Sequence, residues 1–132
     1  GLTLAVLIER DPGDAPRVAE VYTQLAAMAA LYPAEARLQE LRARAARVVV
    51  RLLEGSGAVA EADAIMSGVR GLCAGSKNAA ARREYGWALA ESALRGVQAQ
   101  ARTEELRELA SANPKDKKVA AALAMVEVHA AE

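Results

Sequence analysis

Phenylalanine is absent from this chain of 132 residues, and tryptophan, cysteine and histidine each occur once, as Trp87, Cys73 and His129. A lone cysteine forms no internal disulfide, so the fold does not depend on oxidation. A single histidine close to the C-terminus leaves metal sites and catalytic triads almost nothing to draw on. Lys and Arg number 17 against 17 Asp and Glu. That balance argues against a general nucleic-acid binder, whose affinity rests on excess positive charge. No apolar run approaches the roughly 18 residues of a membrane span. Leu2 to Ile8 is apolar, but no basic segment precedes it and no small-residue cleavage site follows, so it is a poor signal peptide. Gly68-x-x-Gly71 is not followed by a phosphate-cradling helix start, and no Walker or dinucleotide signature is present. These absences point to a protein that is not an enzyme, has no cofactor or metal, and sits in the cytoplasm. Gly1 is not an initiator methionine, which fits a piece of a longer chain.

What remains is helix-forming. Ala is the commonest residue, Leu, Arg and Glu accompany it, and proline is confined to positions 12, 16, 33 and 114. The composition predicts an all-α domain over residues 1–132, its core built from many small contacts. Apolar periodicity with Gly and Pro punctuation predicts about seven helices. They cover residues 2–10, 15–31, 34–53, 58–73, 79–95, 99–112 and 116–131, with turns near 11–15, 32–34, 55–57, 75–78, 96–98 and 113–115. Val48-Val49-Val50 has strand propensity, but the 3.6-residue pattern around it overrules a strand. The core is expected to contain Leu38, Leu41, Val48, Leu52, Ile65, Met66, Leu72, Leu89, Leu106, Leu109, Val119 and Leu123. Gly68 and Gly71 at i, i+3 fit close approach of a neighbouring backbone. The acidic pairs Glu84/Glu91 and Glu104/Glu108 have the spacing of solvated helix faces.

Pro33 and Pro114 each close one helix and open another. They lie 81 residues apart, and half that interval falls beside the Gly75-Ser76-Lys77-Asn78 joint. A period of about 40 to 41 residues superposes Leu25, Met66 and Leu106, then Met28, Val69 and Leu109, then Leu38, Ala79 and Val119. Tyr85-Gly86-Trp87-Ala88-Leu89, followed by Leu106, Leu109, Ala110 and Asn113-Pro114, resembles a tetratricopeptide-type helical repeat. The period is longer than that family's repeat of about 34 residues. The middle joint also has no proline, and the length alone fits armadillo or HEAT repeats as well. The resemblance implies a right-handed α-solenoid of antiparallel helix hairpins and a role in holding a protein or peptide partner.

One charge pattern bears on that partner. Arg44, Arg47 and Arg51 recur along the third helix, with Arg37 a heptad before Arg44. One 41-residue repeat later, Tyr85, Ala88 and Ser92 fall at the equivalent positions. The resemblance implies that the first helix of each pair lines a concave ligand surface. Arg44, Arg47, Arg51, Tyr85 and Ser92 would then line a basic groove for an acidic peptide, because guanidinium forks suit carboxylates. Trp87 is expected to be packed nearer the other edge of its helix. The leading expectation is a protein–protein interaction module. The alternatives are an oligomerisation domain whose open ends pair, or a regulatory domain attached to an enzyme outside this chain.

Overall fold

The computed structural model describes residues 15–73 and 78–131. The expected helix over residues 2–10, the turn after it and most of the 75–78 joint lie outside the described residues, as do the side chains of Leu72 and Cys73. The described chain is all-helical, with six helices and no strand. These are α1 (Ala15–Leu31), α2 (Ala36–Gly55), α3 (Val59–Cys73), α4 (Ala79–Leu94), α5 (Ala99–Ala112) and α6 (Lys117–Ala131). Val48 to Val50 lie inside α2, as the flanking period requires.

Local chemistry explains the joints. The side-chain amide of Gln39 donates to the carbonyls of Ala29 at 3.0 Å and Tyr32 at 3.3 Å. It thereby adds a second donor to carbonyls that already accept from the Tyr32 and Glu35 amides, and ties α2 to the end of α1. Asn78 caps α4, its Oδ1 accepting from the Ala81 amide at 3.2 Å, while its Nδ2 donates to the Ala36 carbonyl at 2.9 Å. One residue thus starts α4 and ties it to the start of α2. Asp116 caps α6 by accepting from the amides of Lys118 and Val119 at 3.2 and 3.3 Å. The α4–α5 turn uses two left-handed residues, Gly96 at φ +82 and Gln98 at φ +47.

Packing follows chain order. α2 and α4 form the most extensive helix pair; α2 also meets α1 and α3, and α4 also meets α3, α5 and α6. α5 packs on α6, whereas α1 and α6 do not touch. α3 and α5 do not approach closely. They are joined instead by the ion pairs Asp63–Arg102 at 2.8 Å and Arg70–Glu105 at 2.9 Å.

The odd-numbered helices repeat at an interval of 40 residues. Tyr22, Ala62 and Arg102 are buried equivalents, as are Ala29, Val69 and Leu109. Met66 and Leu106 share the same interval, and Leu25 precedes Met66 by 41; all three are fully buried. The even-numbered helices do not share this spacing. From α2 to α4 the buried pairs Ala43/Gly86, Ala45/Ala88, Ala46/Leu89, Val49/Ser92 and Val50/Ala93 are 43 residues apart. From α4 to α6 the caps Asn78 and Asp116, and the buried pairs Ala81/Val119 and Ala88/Val126, are 38 apart. The counterpart of Val119 is therefore Ala81 rather than Ala79. Two intervals arise because α2 runs to Gly55, longer than α4 or α6, and the joints differ in length.

Leu41, Met66, Leu89, Leu106, Leu109 and Val119 are buried as expected. Val48, Leu52, Ile65 and Leu123 are only partly buried against that core, and Leu38 is intermediate. On α2 the core centres on Ala45, Ala46, Val49, Val50 and Leu53, because α1, α3 and α4 surround this helix. Small side chains let three neighbours approach one helix. Gly68 does not admit a neighbouring backbone: a Cβ there would meet only the Arg42 guanidinium at 3.6 Å, and one at Gly71 would meet nothing within 4 Å.

Candidate functional groove

The arginines of α2 face α4 across a shallow polar cavity of about 320 Å³. Its lining comes from three helices: Glu40, Arg44 and Arg47 of α2, Arg83, Glu84 and Trp87 of α4, and Lys118 of α6. The structure therefore brings Arg44 and Arg47 onto one surface, but neither is unpaired. Arg47 hydrogen-bonds Glu91 through Nε and Glu84 through Nη1, the latter at 3.3 Å, and its guanidinium lies 6.0 Å from the Trp87 ring centroid. Burial by itself would lower the Arg47 pKa; the hydrogen bond and charge of Glu91, with those of Glu84, outweigh it and hold the pKa above its ordinary value. Arg44 is held more loosely, 3.7 Å from Glu40 and 3.8 Å from Glu84, beyond hydrogen-bonding reach. Arg37 pairs with Glu40 at 3.3 Å. Arg51 is exposed and has no ion-pair partner among the described residues.

Tyr85 and Ser92 do not line this groove. Tyr85 is 1% exposed and Ser92 is fully buried. The Tyr85 hydroxyl accepts from Arg70 Nε at 3.3 Å. The Ser92 hydroxyl donates to Glu54 Oε2 at 2.6 Å. The physical reason is register: the structural counterparts of Tyr85 and Ser92 on α2, 43 residues earlier, are Arg42 and Val49, not Arg44 and Arg51. Glu84 and Glu91 also depart from expectation. They are the partly buried anions between α2 and α4, while Glu104 and Glu108 are solvated.

Arg83 and Lys118 are the groove residues that helix-by-helix inspection misses. The run Lys115-Asp116-Lys117-Lys118 carried the signal, since it concentrates three of the chain's lysines at one helix start. Asp116 organises this end of the groove. Its Oδ2 accepts from Arg82 Nε and Nη2 at 3.2 and 3.1 Å, and its Oδ1 accepts from Arg83 Nε at 3.2 Å. Burial alone would raise the Asp116 pKa, but the hydrogen bonds from Arg83, the Val119 amide and Arg82, with the Arg83 charge, hold it below the ordinary value. The Lys118 ammonium has no ion-pair partner among the described residues.

A second cavity, mostly apolar and of about 240 Å³, lies between α3 and α5 beside Arg70, Tyr85, Glu105 and Glu108. Burial raises the Glu105 pKa against the opposing hydrogen bond and charge of Arg70, and the charges of Glu108 and Asp63 raise it further. No group of three or more His, Cys, Asp or Glu is placed to hold a metal among the described residues. No helix among them is long and apolar enough to cross a membrane. No protein-family model matches the chain, and neither the curated proteins nor the solved structures give a match.

Proposed function

We propose that the chain is a protein–protein interaction module, a tetratricopeptide-like right-handed α-solenoid that takes an acidic peptide segment along α2, α4 and α6. A cytoplasmic setting, in which the lone Cys73 stays reduced, belongs to the same reading. Helix contacts confined to near neighbours in sequence support the solenoid, since each hairpin in such an array buries its apolar face against the next. The observation that carries the ligand class is the charge of the groove. Arg44, Arg47, Arg83 and Lys118 line it against only Glu40 and Glu84.

The cations differ in what they offer. Arg47 is held by Glu91 and Glu84 and shapes the wall. Arg44, in long contacts only, and Lys118 are the groups that an incoming carboxylate engages first. Charge-assisted contacts of this kind are worth about 1.5–3 kcal/mol each, less where water screens them. Arg51, exposed farther along α2, does not line the groove.

Trp87 lines the groove and is the chain's only tryptophan, so its fluorescence reports directly on occupancy. An oligo-glutamate peptide should change the Trp87 emission saturably, and the affinity should fall with added salt. Arg44→Ala combined with Lys118→Ala should weaken binding at least about tenfold, the equivalent of about 1.4 kcal/mol. A peptide that leaves the emission unchanged, or that binds the double variant equally well, would overturn this assignment.

A further inference from the structure

One carboxylate holds two arginines at the start of α6. The Asp116 side chain is only 2% exposed, and its Oδ2 accepts from Arg82 while its Oδ1 accepts from Arg83. The two arginines are consecutive on α4, so their side chains leave the helix about 100° apart and reach different oxygens of the carboxylate. Glu54 and Asp63, by contrast, each hold a single arginine.

Beside this cluster lies an open cavity of about 400 Å³, lined by Arg82, Arg83, Asn113, Pro114, Lys115 and Asp116. The lining carries three cations and one anion, an excess of two positive charges. Glu84, the acidic neighbour of Arg83 in sequence, does not offset them, because it is engaged with Arg44 and Arg47. Arg83 gives only its Nε to Asp116, and its side chain is 42% exposed. Among the described residues, the terminal nitrogens of Arg83 and the Lys115 ammonium have no partner. Arg82 lies deeper, its side chain 12% exposed, and adds its charge from behind.

The fold has already ordered these groups. Asp116 keeps both guanidiniums in place, and the α5–α6 joint positions Lys115. Within that joint the Asp116 amide donates to the Asn113 carbonyl at 3.0 Å, and the Asn113 side-chain amide donates to the Leu109 carbonyl at 2.9 Å. Pro114 fixes its own φ between them. An entering anion therefore meets donors that lose little freedom on binding.

The charge of the lining selects the anion. A carboxylate would compensate one of the two excess charges and leave the other. A phosphate monoester carries about 1.5 to 2 negative charges at neutral pH, with three strong acceptor oxygens. Guanidinium forks take phosphate oxygens in pairs, and an ammonium serves beside them as a point charge. Arg83 also lines the groove between α2 and α4, so the two cavities meet at one side chain.

We propose that the Arg82–Arg83–Lys115 cavity is a phosphate subsite, and that the phosphate is a phosphorylated side chain on an acidic peptide lying in the adjoining groove. The subsite rests on the peptide reading of that groove and names its ligand more closely.

Calorimetric titration of the full chain with inorganic phosphate tests the subsite by itself. Phosphate should bind saturably, and Arg83→Gln and Lys115→Ala should each weaken it at least about fivefold. Lys115 is exposed, so its variant should keep the helical circular dichroism of wild type. Three glutamate-rich peptides that differ at one position, carrying phosphoserine, glutamate or serine there, then test the source. The phosphoserine peptide should bind at least about tenfold tighter than the glutamate one. In Lys115→Ala that advantage should shrink to about threefold or less, whereas in Arg44→Ala with Lys118→Ala it should persist while all three affinities fall. A phosphate titration that does not saturate, or that both single variants leave unaltered, overturns the subsite and leaves the groove standing. So does a phosphoserine peptide that binds no tighter than its glutamate counterpart. Phosphate binding with no peptide engaged would overturn the groove, and with it the peptide as the source of the phosphate.

Discussion

Ser92 in the middle of the fold donates its hydroxyl to Glu54, 2.6 Å away at the end of α2, and both residues are buried. The other carboxylate oxygen of Glu54 accepts from Arg95 Nε and Nη2 at 2.9 and 2.6 Å. A glutamate side chain only 1% exposed is thus satisfied at both oxygens by α4 and the residue that follows it. The network fixes the distal ends of α2 and α4 against each other. Ser92→Ala should cost about 1.5–3 kcal/mol, the range for a hydrogen bond to a charged group. Arg95→Ala should cost about 3 kcal/mol, because it leaves the buried carboxylate without its cation. Urea midpoints with an unchanged denaturant slope measure both losses. A Ser92→Ala midpoint equal to wild type would mean that Glu54 finds another donor.

Three helix-interior glycines should tolerate alanine. Gly68 and Gly71 are exposed, and a Cβ at Gly86 would sit in ordinary contact, 3.6–3.8 Å from Leu109, Val119 and Leu106. Each Gly→Ala change should raise stability by up to about 1 kcal/mol through helix propensity. Thermal melts of the three single variants check this. A lowered Tm for Gly86→Ala would show that α5 and α6 cannot give way there.

Asp116 makes stability depend on acid. Its folded pKa is depressed, so the unfolded chain binds the proton more tightly. Its contribution is fully present above the ordinary aspartate value of about 3.9 and is lost as pH falls through the lower folded value. Asp116→Asn keeps a capping oxygen but removes the charge, and it should flatten the acid limb of the stability–pH curve. Superimposable acid limbs for variant and wild type would rule out the link.

Glu105 acts in the opposite sense. Its folded pKa is raised, so the folded chain holds the proton more tightly. Stability from this group grows as pH falls from above the folded value towards the ordinary glutamate value of about 4.3. Glu105→Gln removes that gain, so wild type should recover relative to the variant on mild acidification. Curves that stay parallel through this window would contradict the assignment.

A packing test rests on Leu106, which is fully buried and close to the Gly86 backbone. Leu106→Ala should cost about 2–5 kcal/mol, as buried leucine truncations do. Chemical denaturation measures it. A loss below about 0.5 kcal/mol would place the residue at a surface.

The helices of the described residues were legible in the sequence because helix formation answers to local information. Leu25, Met66 and Leu106 mark the interior of α1, α3 and α5, and Asn78, Pro33 and Pro114 mark joints, each through chemistry confined to a few neighbouring residues. The all-α class and the period of α1, α3 and α5 needed nothing more. The groove was legible only in part. Arg44 and Arg47 do share a surface, but Tyr85 and Ser92 were displaced from it by an error in register between α2 and α4.

Only the tertiary structure decided that register, and with it every long-range pairing. Spacing along one helix places Arg47, Glu84 and Glu91 on their own helix faces, where the glutamates read as solvated and Arg47 as a groove cation open to a ligand. Whether those faces meet depends on how far α2 extends, how many residues each joint takes, and how closely the alanines of α2 let α4 approach. Those quantities vary along the chain: matching buried positions lie farther apart in sequence from α2 to α4 than from α4 to α6. A hydrogen bond tolerates errors of only tenths of an ångström. A slip of a single position along a helix moves a side chain by about 1.5 Å and turns it by about 100°. The sequence by itself therefore determined which segments are helical and which faces are apolar. The packed structure determined which cations are already neutralised and which polar groups are buried.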